Sequence, residues 1–456
     1  MPALAPSGRA DFPDGFVFGV ATAAFQIEGA LDEDGRVPSI WDTFAARPGT
    51  IERGETGKTA CDHYHRYADD VALMAALGVD AYRFSLAWPR ILPEPGRPNP
   101  AGIAFYDRLL DELLAAGITP WATLYHWDLP ESLEAAGGWP ARETAYRFAE
   151  YAALAADRFG DRIGHWLTVN EPFVSSMVGY ASGVHAPGRV DPAAAVRAAH
   201  HLMLGHGLAM RELRARHPDA QVGLALSLTP VEAFEGRAEF TDAVRRVDGM
   251  CNRLFLDPLL RGSYPGDVVA DLAHVSDLAH VADGDLALVG APVDFLGVNY
   301  YHPTVVTGGF WPGSAEAATS GSGRPRCEMG WEVDPDGLTR LLRRLHEDYD
   351  SPTIYVTENG SAWPDTVTET PDGGRRVADP ERTAYLQTHL QACRDAIAAG
   401  VDLRGYFAWS LLDNFEWAFG YRMRFGLVHV DFGTQVRTVK DSGRWYAALL
   451  GAGARP

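Results

Sequence analysis

Lysine is nearly absent from this sequence of 456 residues. Only Lys58 and Lys440 are lysines, so arginine supplies almost all of the 40 basic side chains. A covalent reaction through a Schiff base needs a lysine amine at the reacting centre. This class of chemistry therefore depends on whether one of these two residues lies at a functional site.

Cysteine is also scarce, and its four positions are far apart: Cys61, Cys251, Cys327 and Cys393. Without a CxxC pair, the spacing excludes a zinc ribbon and a thioredoxin-type redox site. Four cysteines in a chain of this length do not make a disulfide scaffold, so we predict reduced thiols and a cytoplasmic protein. No secretory signal pattern is present, and no apolar run approaches the roughly 18 residues that a transmembrane helix needs.

Positive charge is in short supply as well. The 60 acidic residues outnumber the 40 basic ones and give a formal net charge of −20. A protein with this charge repels phosphate backbones and anionic lipids, so we expect neither nucleic acid nor a membrane surface as a partner. Hydrophobic residues make up 46% of the chain, which is enough for a large buried core.

What the chain does contain is an alternation of short apolar runs with amphipathic stretches. The predicted strands are 16–20, 81–87, 119–125, 166–169, 222–228, 295–299, 353–357 and 405–409. The predicted helices are 66–77, 101–116, 142–159, 192–216, 240–256, 336–348, 379–399 and 441–450. Several helices end at a glycine, such as Gly78 or Gly117. The strands are continuous apolar runs, which is typical of strands buried on both faces.

This alternation predicts an α/β fold, a single-domain (β/α)8 TIM barrel over residues 11–456, with a flexible tail over residues 1–10. A doubly wound open sheet is the alternative, but no GxGxxG motif follows the first strand. In a barrel, functional groups lie at the C-terminal ends of the strands. The side chains at or near those positions are Gln26, Arg83, His126, Trp127, Asn170, Glu171, Asn299, Tyr300, Tyr301, Glu358, Asn359 and Trp409.

Two carboxylates belong to this set, Glu171 after the fourth strand and Glu358 at the seventh. Amides, one imidazole and several aromatic rings accompany them. Amides and imidazoles exchange hydrogen bonds with hydroxyls, and indole faces stack on the C–H face of a sugar ring. A pair of carboxylates among sugar-binding groups is what cleavage of a glycosidic bond requires. The sequence therefore indicates a glycosidase.

Other barrel chemistries fit less well. Lys58 lies in a loop and Lys440 near the C-terminus, so a Schiff-base aldolase is not favoured. His126 is the only histidine of the set and no HxH pair lies at a strand end, so we predict no metal. No glycine-rich phosphate turn follows the last two strands. Since two carboxylates suffice for glycosidic cleavage, we predict no cofactor either.

Seven motifs follow one another along the chain. They are FxFGxATAAFQIEGA at 16–30, YRFSLAW at 82–88, LYHWDLP at 124–130, TVNEP at 168–172, LGVNYY at 296–301, YVTENG at 355–360 and WSLLDNFEWAFGYRMRFGL at 409–427. In these motifs the sequence resembles glycoside hydrolase family 1, the β-glucosidase family of retaining enzymes. The resemblance runs over about residues 16–445, nearly the whole chain.

The resemblance implies a role for each catalytic candidate. Glu171 in TVNEP would be the general acid that protonates the leaving oxygen and then the base that activates water. Glu358 in YVTENG would be the nucleophile. Retention requires the two carboxyl groups to lie about 5–5.5 Å apart, where ionised Glu358 would keep Glu171 protonated. Arg83 and Tyr301 would hold Glu358 ionised and oriented, and Asn299 would support the same region.

The resemblance also implies a sugar pocket, in which Asn170 would bond the 2-hydroxyl and His126 the 3-hydroxyl. The substrate-binding candidates are Gln26, His126, Trp127, Asn170, Trp331, Trp409, Glu416, Trp417 and Phe425. Of these, Gln26 and Glu416 would bracket neighbouring hydroxyls, Trp409 would form a stacking floor, and Trp331 would be the platform for the leaving group.

The resemblance also bears on phosphorylated sugars. Family members that cleave 6-phospho-glycosides carry Ser, Lys and Tyr where this chain has Glu416, Met423 and Phe425. A carboxylate at the position of a phosphate would repel it, so an unphosphorylated sugar is favoured.

The expected activity is that of a retaining β-glucosidase, acting on terminal β-D-glucosyl residues of oligosaccharides or of aryl and alkyl β-glucosides. Some β-galactosidase or β-fucosidase activity and a part in cellulose degradation are expected with it. A 6-phospho-β-glycosidase and a transglycosylase that uses the same site are the alternatives. The motifs indicate neither the natural leaving group, whether a cello-oligosaccharide or an aryl group, nor the oligomeric state.

Overall fold

A closed barrel of eight parallel strands lies at the centre of the chain. In this computed structural model, which describes residues 8–307 and 322–452, we number these strands β1 to β8 in chain order. They are β1 Val17–Ala21, β2 Ala81–Ser85, β3 Thr119–Tyr125, β4 His165–Asn170, β5 Gln221–Ser227, β6 Phe295–Asn299, β7 Ile354–Asn359 and β8 Leu403–Trp409. Each strand pairs with its neighbours in sequence, and β8 pairs with β1, with Val17 opposite Gly405. The predicted barrel is confirmed.

Helices cover the outside of the barrel. The main ones are His63–Leu77, Pro100–Ala115, Arg142–Phe159, Pro192–Arg216, Thr241–Asp248, Leu254–Leu260, Pro335–Asp348, Pro380–Ala398 and Asp441–Leu449. The shorter α-helices are Ala24–Ile27, Ile40–Ala45, Trp88–Ile91, Glu131–Ala135, Gly266–Leu272 and Asp285–Val289. Gly78 follows the first main helix with φ of +74°, a left-handed conformation that glycine adopts without strain.

One predicted helix, 240–256, is not continuous. A π-helical turn at Gly249–Arg253 separates Thr241–Asp248 from Leu254–Leu260. Within the turn, the Asn252 side chain accepts a hydrogen bond from the Thr229 backbone N–H (3.1 Å) and donates one to the Thr229 carbonyl (2.8 Å). The π-helical turn therefore coincides with two hydrogen bonds that join this helix to the segment after β5. The pattern of apolar residues does not reveal these bonds.

Small elements complete the architecture. Three two-stranded sheets lie outside the barrel. They pair Val231–Ala233 with Thr304–Val306, Val367–Glu369 with Arg375–Val377, and Val428–Val430 with Arg437–Val439. The 3-10 turns are Arg9–Asp11, Phe234–Gly236, Ala238–Phe240 and Trp417–Phe419, and a second π-helical segment is Val174–Ala181. Residues 1–7 lie outside the described residues, so the tail over residues 1–10 stays a prediction, although Arg9 pairs with Asp80 at 2.8 Å.

Aromatic rings fill the lower part of the barrel. The Trp121 ring lies at the centre of this layer, stacked on His165 with ring centroids 4.1 Å apart. Tyr355, Phe295 and Phe407 surround the same indole with centroids 4.8–5.4 Å away. This packed layer closes the barrel from below, so that polar side chains can converge only at the other end, above it.

The junction between β7 and β8 is tight at that upper end. Gly360 directly follows β7, and a Cβ atom added to it would lie 1.8 Å from the Trp409 carbonyl oxygen. Any larger residue would push apart the ends of the two strands that carry Glu358 and Trp409. Sterically, therefore, only glycine fits at the position directly after Glu358-Asn359.

A buried cluster of charges anchors the segment that follows β8. The Lys440 ammonium contacts Asp413 Oδ1 at 2.6 Å and also the Asp365 carboxylate, and all three side chains are fully buried. Arg424 donates to the other oxygen of Asp413 at 2.8 Å. Burial alone would raise the pKa of Asp413, but the charges of Lys440 and Arg424 bring it below its ordinary value. Asp413 stands three residues before Glu416, so the cluster fixes a segment of the candidate site.

Lys440→Met should lower the free energy of unfolding by about 3–5 kcal/mol, because it leaves two buried carboxylates without their shared cation. Urea unfolding followed by tryptophan fluorescence measures the change. Lys58→Met is the matched control, since Lys58 forms an exposed pair with Asp32 and should give no measurable change. Equal unfolding midpoints for both variants and the wild type would contradict the assignment.

Candidate active site

A cavity of about 230 Å³ opens at the C-terminal ends of the barrel strands. The residues that line it are His126, Trp127, Glu171, Val174, Val178, His185, Ser227, Tyr301, His302, Met329, Trp331, Glu358, Trp409, Glu416, Trp417, Phe419 and Phe425. Glu358 and Trp409 end or nearly end their strands, and Glu171 and Tyr301 follow theirs closely. The position of the cavity is the one that the barrel predicts.

Ten of the fourteen site residues predicted from the sequence line this cavity. The other four are Gln26, Arg83, Asn170 and Asn299, and they lie behind the lining with hydrogen bonds to residues that form it. Arg83 is in the middle of β2 rather than at its end, and Gln26 is in the short helix Ala24–Ile27 beyond β1. All fourteen are therefore brought into one connected region.

Glu358 is held at both carboxylate oxygens. Arg83 donates from Nη1 to Oε1 at 2.6 Å, and the Tyr301 hydroxyl donates to Oε2 at 2.6 Å. Glu358 is only 3% exposed, and Arg83 only 1%. Such charge-assisted bonds are short and strong, and they fix the direction in which the carboxylate points. Glu358 is thus a buried, oriented carboxylate paired with a permanent cation.

Glu171 has a different environment. Its Oε1 accepts a hydrogen bond from Asn299 Nδ2 at 2.7 Å, and no cation contacts it directly among the residues that the structure describes. Burial, and next the charge of Glu358, raise the pKa of Glu171 to about 8. The raised pKa of Glu171 favours its protonated form at neutral pH, whereas Glu358 is paired with a cation; such a contrast is how an acid and a nucleophile are assigned within one site.

Asn170 connects the two sides of the site. Arg83 Nη2 (2.6 Å) and Asn299 Nδ2 (3.0 Å) both donate to its Oδ1, so its amide nitrogen must face His126 Nε2, 3.2 Å away. The His126 Nε2 is then the acceptor, and its proton is on Nδ1, which is buried and has no partner. Burial and the Arg83 charge lower the pKa of His126 well below its ordinary value, so the ring is neutral. The site therefore offers one N–H donor here.

Glu416 forms another wall of the cavity, and Gln26 lies behind it. Gln26 Nε2 donates to the Phe415 carbonyl (2.9 Å) and to Asn414 Oδ1 (3.0 Å), with Glu416 Oε2 at 3.4 Å. The Gln26 Oε1 atom is buried and without a partner. Burial and the charge of Glu358 raise the pKa of Glu416 to about 8. Buried polar atoms without partners are rare in folded proteins, so Gln26 Oε1 is ready to accept a hydrogen bond from a hydroxyl group.

Aromatic rings form the remaining surfaces. The Trp409 indole is stacked on His126 with centroids 5.8 Å apart, and Trp127 and Trp417 are 4.6 Å apart. Trp331 is stacked on His302 at 4.8 Å, toward solvent. Flat apolar faces combined with hydroxyl-binding groups match the two kinds of surface of a pyranose ring.

Three residues with strained backbone belong to the same site. Trp127, Glu171 and Trp417 have φ of +75°, +47° and +47°, in the left-handed region that larger residues rarely adopt. Each such residue costs of the order of 1–3 kcal/mol and persists where the surroundings hold it. The fold therefore maintains these three side chains in positions that relaxed backbone would not give.

Comparison with known proteins identifies this arrangement. The model of glycosyl hydrolase family 1 matches residues 8–453. The chain belongs to glycosyl hydrolase family 1. It is thus a retaining glycoside hydrolase, and the predicted family is confirmed.

Family 1 relatives match over almost their whole length. The thermostable beta-glucosidase B of Thermobispora bispora is 52% identical, over 97% of this chain and 91% of the relative. The bifunctional beta-D-glucosidase/beta-D-fucosidase of Bifidobacterium breve is 48% identical, over 96% and 98%. Among solved structures, a psychrophilic beta-glucosidase of Micrococcus antarcticus has a TM-score of 0.91 at 49% identity, covering 97% of this chain and 98% of that one. The Thermotoga maritima beta-glucosidase in complex with deoxynojirimycin has a TM-score of 0.90 at 44% identity, covering 98% and 99%.

The sequence also predicts His185 at the entrance of this family 1 enzyme's cavity, but six other lining residues were not predicted: Val174, Val178, Ser227, His302, Met329 and Phe419. Val174 and Val178 follow Glu171 by three and seven residues, a spacing that places them on one helical face. Ser227 is the last residue of β5, and His302 directly follows Tyr301. The sequence places these residues near strand ends but does not indicate a binding role for them, because valine and serine are common in every part of a barrel.

Over residues 8–307 and 322–452 the structure contains no group of three or more His, Cys, Asp or Glu side chains that could hold a metal ion. Over the same residues, none of the helices combines the length and the apolarity that crossing a bilayer demands.

Proposed function

We propose that this family 1 enzyme is a β-glucosidase, with Glu358 as nucleophile and Glu171 as acid and base. It removes terminal β-D-glucosyl residues from oligosaccharides or from aryl and alkyl β-glucosides. The observation that carries the proposal is the contrast between the two carboxyl groups: Glu358 is paired with Arg83, whereas the pKa of Glu171 is raised to about 8. The names of the related β-glucosidases support the choice of sugar.

In the first step, a Glu358 oxygen forms a bond to the anomeric carbon while the bond from that carbon to the leaving oxygen breaks. The leaving oxygen takes the proton of Glu171, so the alcohol departs neutral and Glu171 becomes a carboxylate. Arg83 and the Tyr301 hydroxyl hold the attacking carboxylate in place. The glycosyl-enzyme is an ester, so the negative charge of Glu358 is lost.

In the second step, water replaces Glu358 at the anomeric carbon. Loss of the Glu358 charge removes one of the two main causes that raise the pKa of Glu171. Glu171 can therefore remain ionised and take a proton from the attacking water. The new carbon–oxygen bond forms as the ester bond breaks, and both carboxyl groups return to their initial protonation states. A sugar hydroxyl in place of water gives transglycosylation on the same residues.

The wall formed by Glu416 bears on which sugar the site accepts. Glu416 lines the cavity with Gln26 behind it, and a carboxyl group at this wall accepts hydrogen bonds from sugar hydroxyls. A phosphate on the sugar would meet this acidic group with no lysine near, because Lys440 is buried among carboxylates and Lys58 pairs with Asp32. An unphosphorylated glucoside is the substrate that fits, and activity toward β-fucosides or β-galactosides is a secondary property.

We place the enzyme in the cytoplasm. The four cysteines are free and buried, which suits a reducing compartment. A part in cellulose degradation stays a prediction from the sequence, since it requires that a cello-oligosaccharide be a good substrate.

A comparison of aryl glycosides tests the choice of sugar. We expect kcat/KM for 4-nitrophenyl β-D-glucoside to exceed that for its 6-phosphate by at least about 100-fold, because an unpaired buried charge contact costs several kcal/mol. The β-D-fucoside and β-D-galactoside are assayed beside them, and NMR of the first product gives its anomeric form. Preference for the 6-phosphate, or an α-anomeric first product, would refute the proposal.

A further inference from the structure

A buried threonine next to the nucleophile is linked to the acid by hydrogen bonds. Thr357 directly precedes Glu358 in β7, and its side chain is fully buried. Its hydroxyl donates a hydrogen bond to Asn299 Oδ1 at 2.7 Å. Asn299 ends β6, the strand beside β7, and its amide nitrogen donates to Glu171 Oε1 at 2.7 Å. One amide therefore connects the Thr357 hydroxyl to the carboxyl group of the acid.

The direction of these hydrogen bonds follows from Arg83. A guanidinium can only donate, so Asn170 Oδ1, 2.6 Å from Arg83 Nη2, is an acceptor. The Asn299 atom that lies 3.0 Å from this oxygen must then be the amide nitrogen. Asn299 Oδ1 consequently faces Thr357, whose hydroxyl is the donor to it. The orientation of the Asn299 amide is thus fixed from two sides.

Gly297 provides the space for the Thr357 side chain. A Cβ atom added to Gly297 would lie 2.9 Å from Thr357 Oγ1 and 3.0 Å from its Cγ2. A side chain at residue 297 would therefore displace the hydroxyl from Asn299, which lies two residues further along β6. The hydrogen bond between Thr357 and Asn299 thus depends on one residue of each strand besides the two partners' own contacts with Arg83 and Glu171.

The orientation of Asn299 decides which oxygen of Glu171 carries the acidic proton. An N–H group at Oε1 makes this oxygen an acceptor, so the proton is on Oε2. If the amide turned over, its oxygen would face Glu171 Oε1 and could accept the acidic proton itself. The proton would then be held away from the leaving oxygen. A fixed amide therefore keeps the proton available for the first step.

We propose that Thr357 is a positioning residue for the acid: its hydroxyl holds the Asn299 amide so that Glu171 presents the proton on Oε2 to the leaving oxygen. The proposal rests on the proposed function, since it concerns how the same acid is oriented. Thr357 is not among the residues that line the cavity, so its hydroxyl acts through Asn299 and not on the sugar.

The alkaline limb of the pH profile reports on this arrangement. Burial and the charge of Glu358 raise the pKa of Glu171, and the hydrogen bond from Asn299 opposes them because it stabilises the ionised form. Loss of that bond should raise the pKa further and move the limb to higher pH. A Thr357 variant leaves in place the charged and titratable side chains that share the site with Glu171, which are Glu358, Arg83, Glu416, Tyr301, His126, His185 and His302.

Thr357→Val tests the proposal, because valine keeps the shape of the side chain and lacks the hydroxyl. Phenyl β-D-glucoside needs the acid, whereas the 2,4-dinitrophenyl glucoside leaves without a proton. We expect kcat/KM to fall by about 10- to 30-fold for the phenyl compound and by no more than about threefold for the dinitrophenyl one. The alkaline limb for the phenyl glucoside should move up by about 0.5 pH unit or more.

Two variants serve as controls. Thr357→Ser keeps the hydroxyl, so it should restore most of the activity on the phenyl glucoside and the wild-type limb. Thr168→Val removes a hydroxyl that is equally buried in β4 but lies 2.6 Å from His206 Nδ1, on the helix Pro192–Arg216 outside the barrel. It should keep the limb and the ratio of the two substrates. Circular dichroism checks each fold, and Thr357→Ala, which adds no bulk, replaces Thr357→Val if valine prevents folding.

The outcomes separate this proposal from the proposed function. An unchanged limb with equal losses on both substrates in the folded variant without the hydroxyl, or an equal loss in Thr357→Ser, would overturn the proposal and leave Glu171 as the acid. A wild-type enzyme that has no alkaline limb, or that hydrolyses neither glucoside, would overturn the proposed function and this proposal with it. A shifted limb and a selective loss on the phenyl glucoside, both reversed by serine and absent in Thr168→Val, would establish it.

Discussion

Glu358→Ala should reduce kcat/KM for aryl β-D-glucosides by about 10⁴-fold or more. Removal of a nucleophile that forms the covalent intermediate leaves only binding and the acid to assist the reaction. The variant leaves the buried Arg83 without its carboxylate and should lower the free energy of unfolding, but the barrel should stay folded because Arg83 keeps its hydrogen bonds to the Thr357 carbonyl and to Asn170. Initial rates with 4-nitrophenyl β-D-glucoside, and a circular dichroism spectrum for the fold, measure both expectations.

Azide makes this result specific to the nucleophile. In Glu358→Ala, azide can enter the space of the lost carboxylate and attack the anomeric carbon from the same face. We expect azide to restore a large part of the rate and to yield an α-glucosyl azide. Glu381→Ala serves as the control, since Glu381 is exposed on the helix Pro380–Ala398, and it should keep wild-type activity without azide. Full activity of Glu358→Ala, or a β-glucosyl azide, would contradict the assignment.

Glu171→Gln should remove the alkaline limb of the pH profile. The acid step needs the protonated form of Glu171, whose pKa is about 8, so wild-type kcat/KM should fall as the pH rises through that value. Glutamine does not ionise, so the fall should disappear while kcat/KM for an alkyl glucoside drops by about 10²–10⁴-fold. A 2,4-dinitrophenyl glucoside, which leaves without a proton, should lose much less in this variant.

Glu416→Gln is the decisive control for that limb. The pKa of Glu416 is also raised to about 8, by burial and by the charge of Glu358, so Glu416 could titrate in the same range. If Glu171 is the acid, Glu416→Gln should bind substrate less well yet keep the alkaline limb. A limb that vanishes in Glu416→Gln and persists in Glu171→Gln would assign the titration to the wall of the sugar pocket instead.

The barrel can be predicted from the sequence because its strands are buried on both faces. Strands such as Thr119–Tyr125 and Phe295–Asn299 are then continuous apolar runs between glycine-terminated helices, and their order alone closes the barrel. The break in the helix at Gly249–Arg253 could not be predicted in this way. It depends on hydrogen bonds from Asn252 to Thr229, and such a long-range tie has no local pattern.

The chemistry of the site can likewise be predicted only in part from the sequence. Glu171 and Glu358 can be found from sequence because carboxylates at strand ends are rare and have a specific use. The tautomer of His126 needs the structure, because it depends on the side-chain amide of Asn170, which Arg83 orients from the middle of β2. Val174 and Val178 are the hardest to predict, since an apolar residue after a strand end is as typical of packing as of binding.

The burial of Lys440 leaves this enzyme with one side-chain amine in contact with solvent, that of Lys58. Reagents that acylate or alkylate amines can therefore modify a single lysine, in the loop between β1 and the helix His63–Leu77. A dye, a polymer or a solid support joined through lysine would occupy one defined position on every molecule. A sequence that uses arginine for nearly all its positive charge thus yields a uniform chemical handle without any engineering.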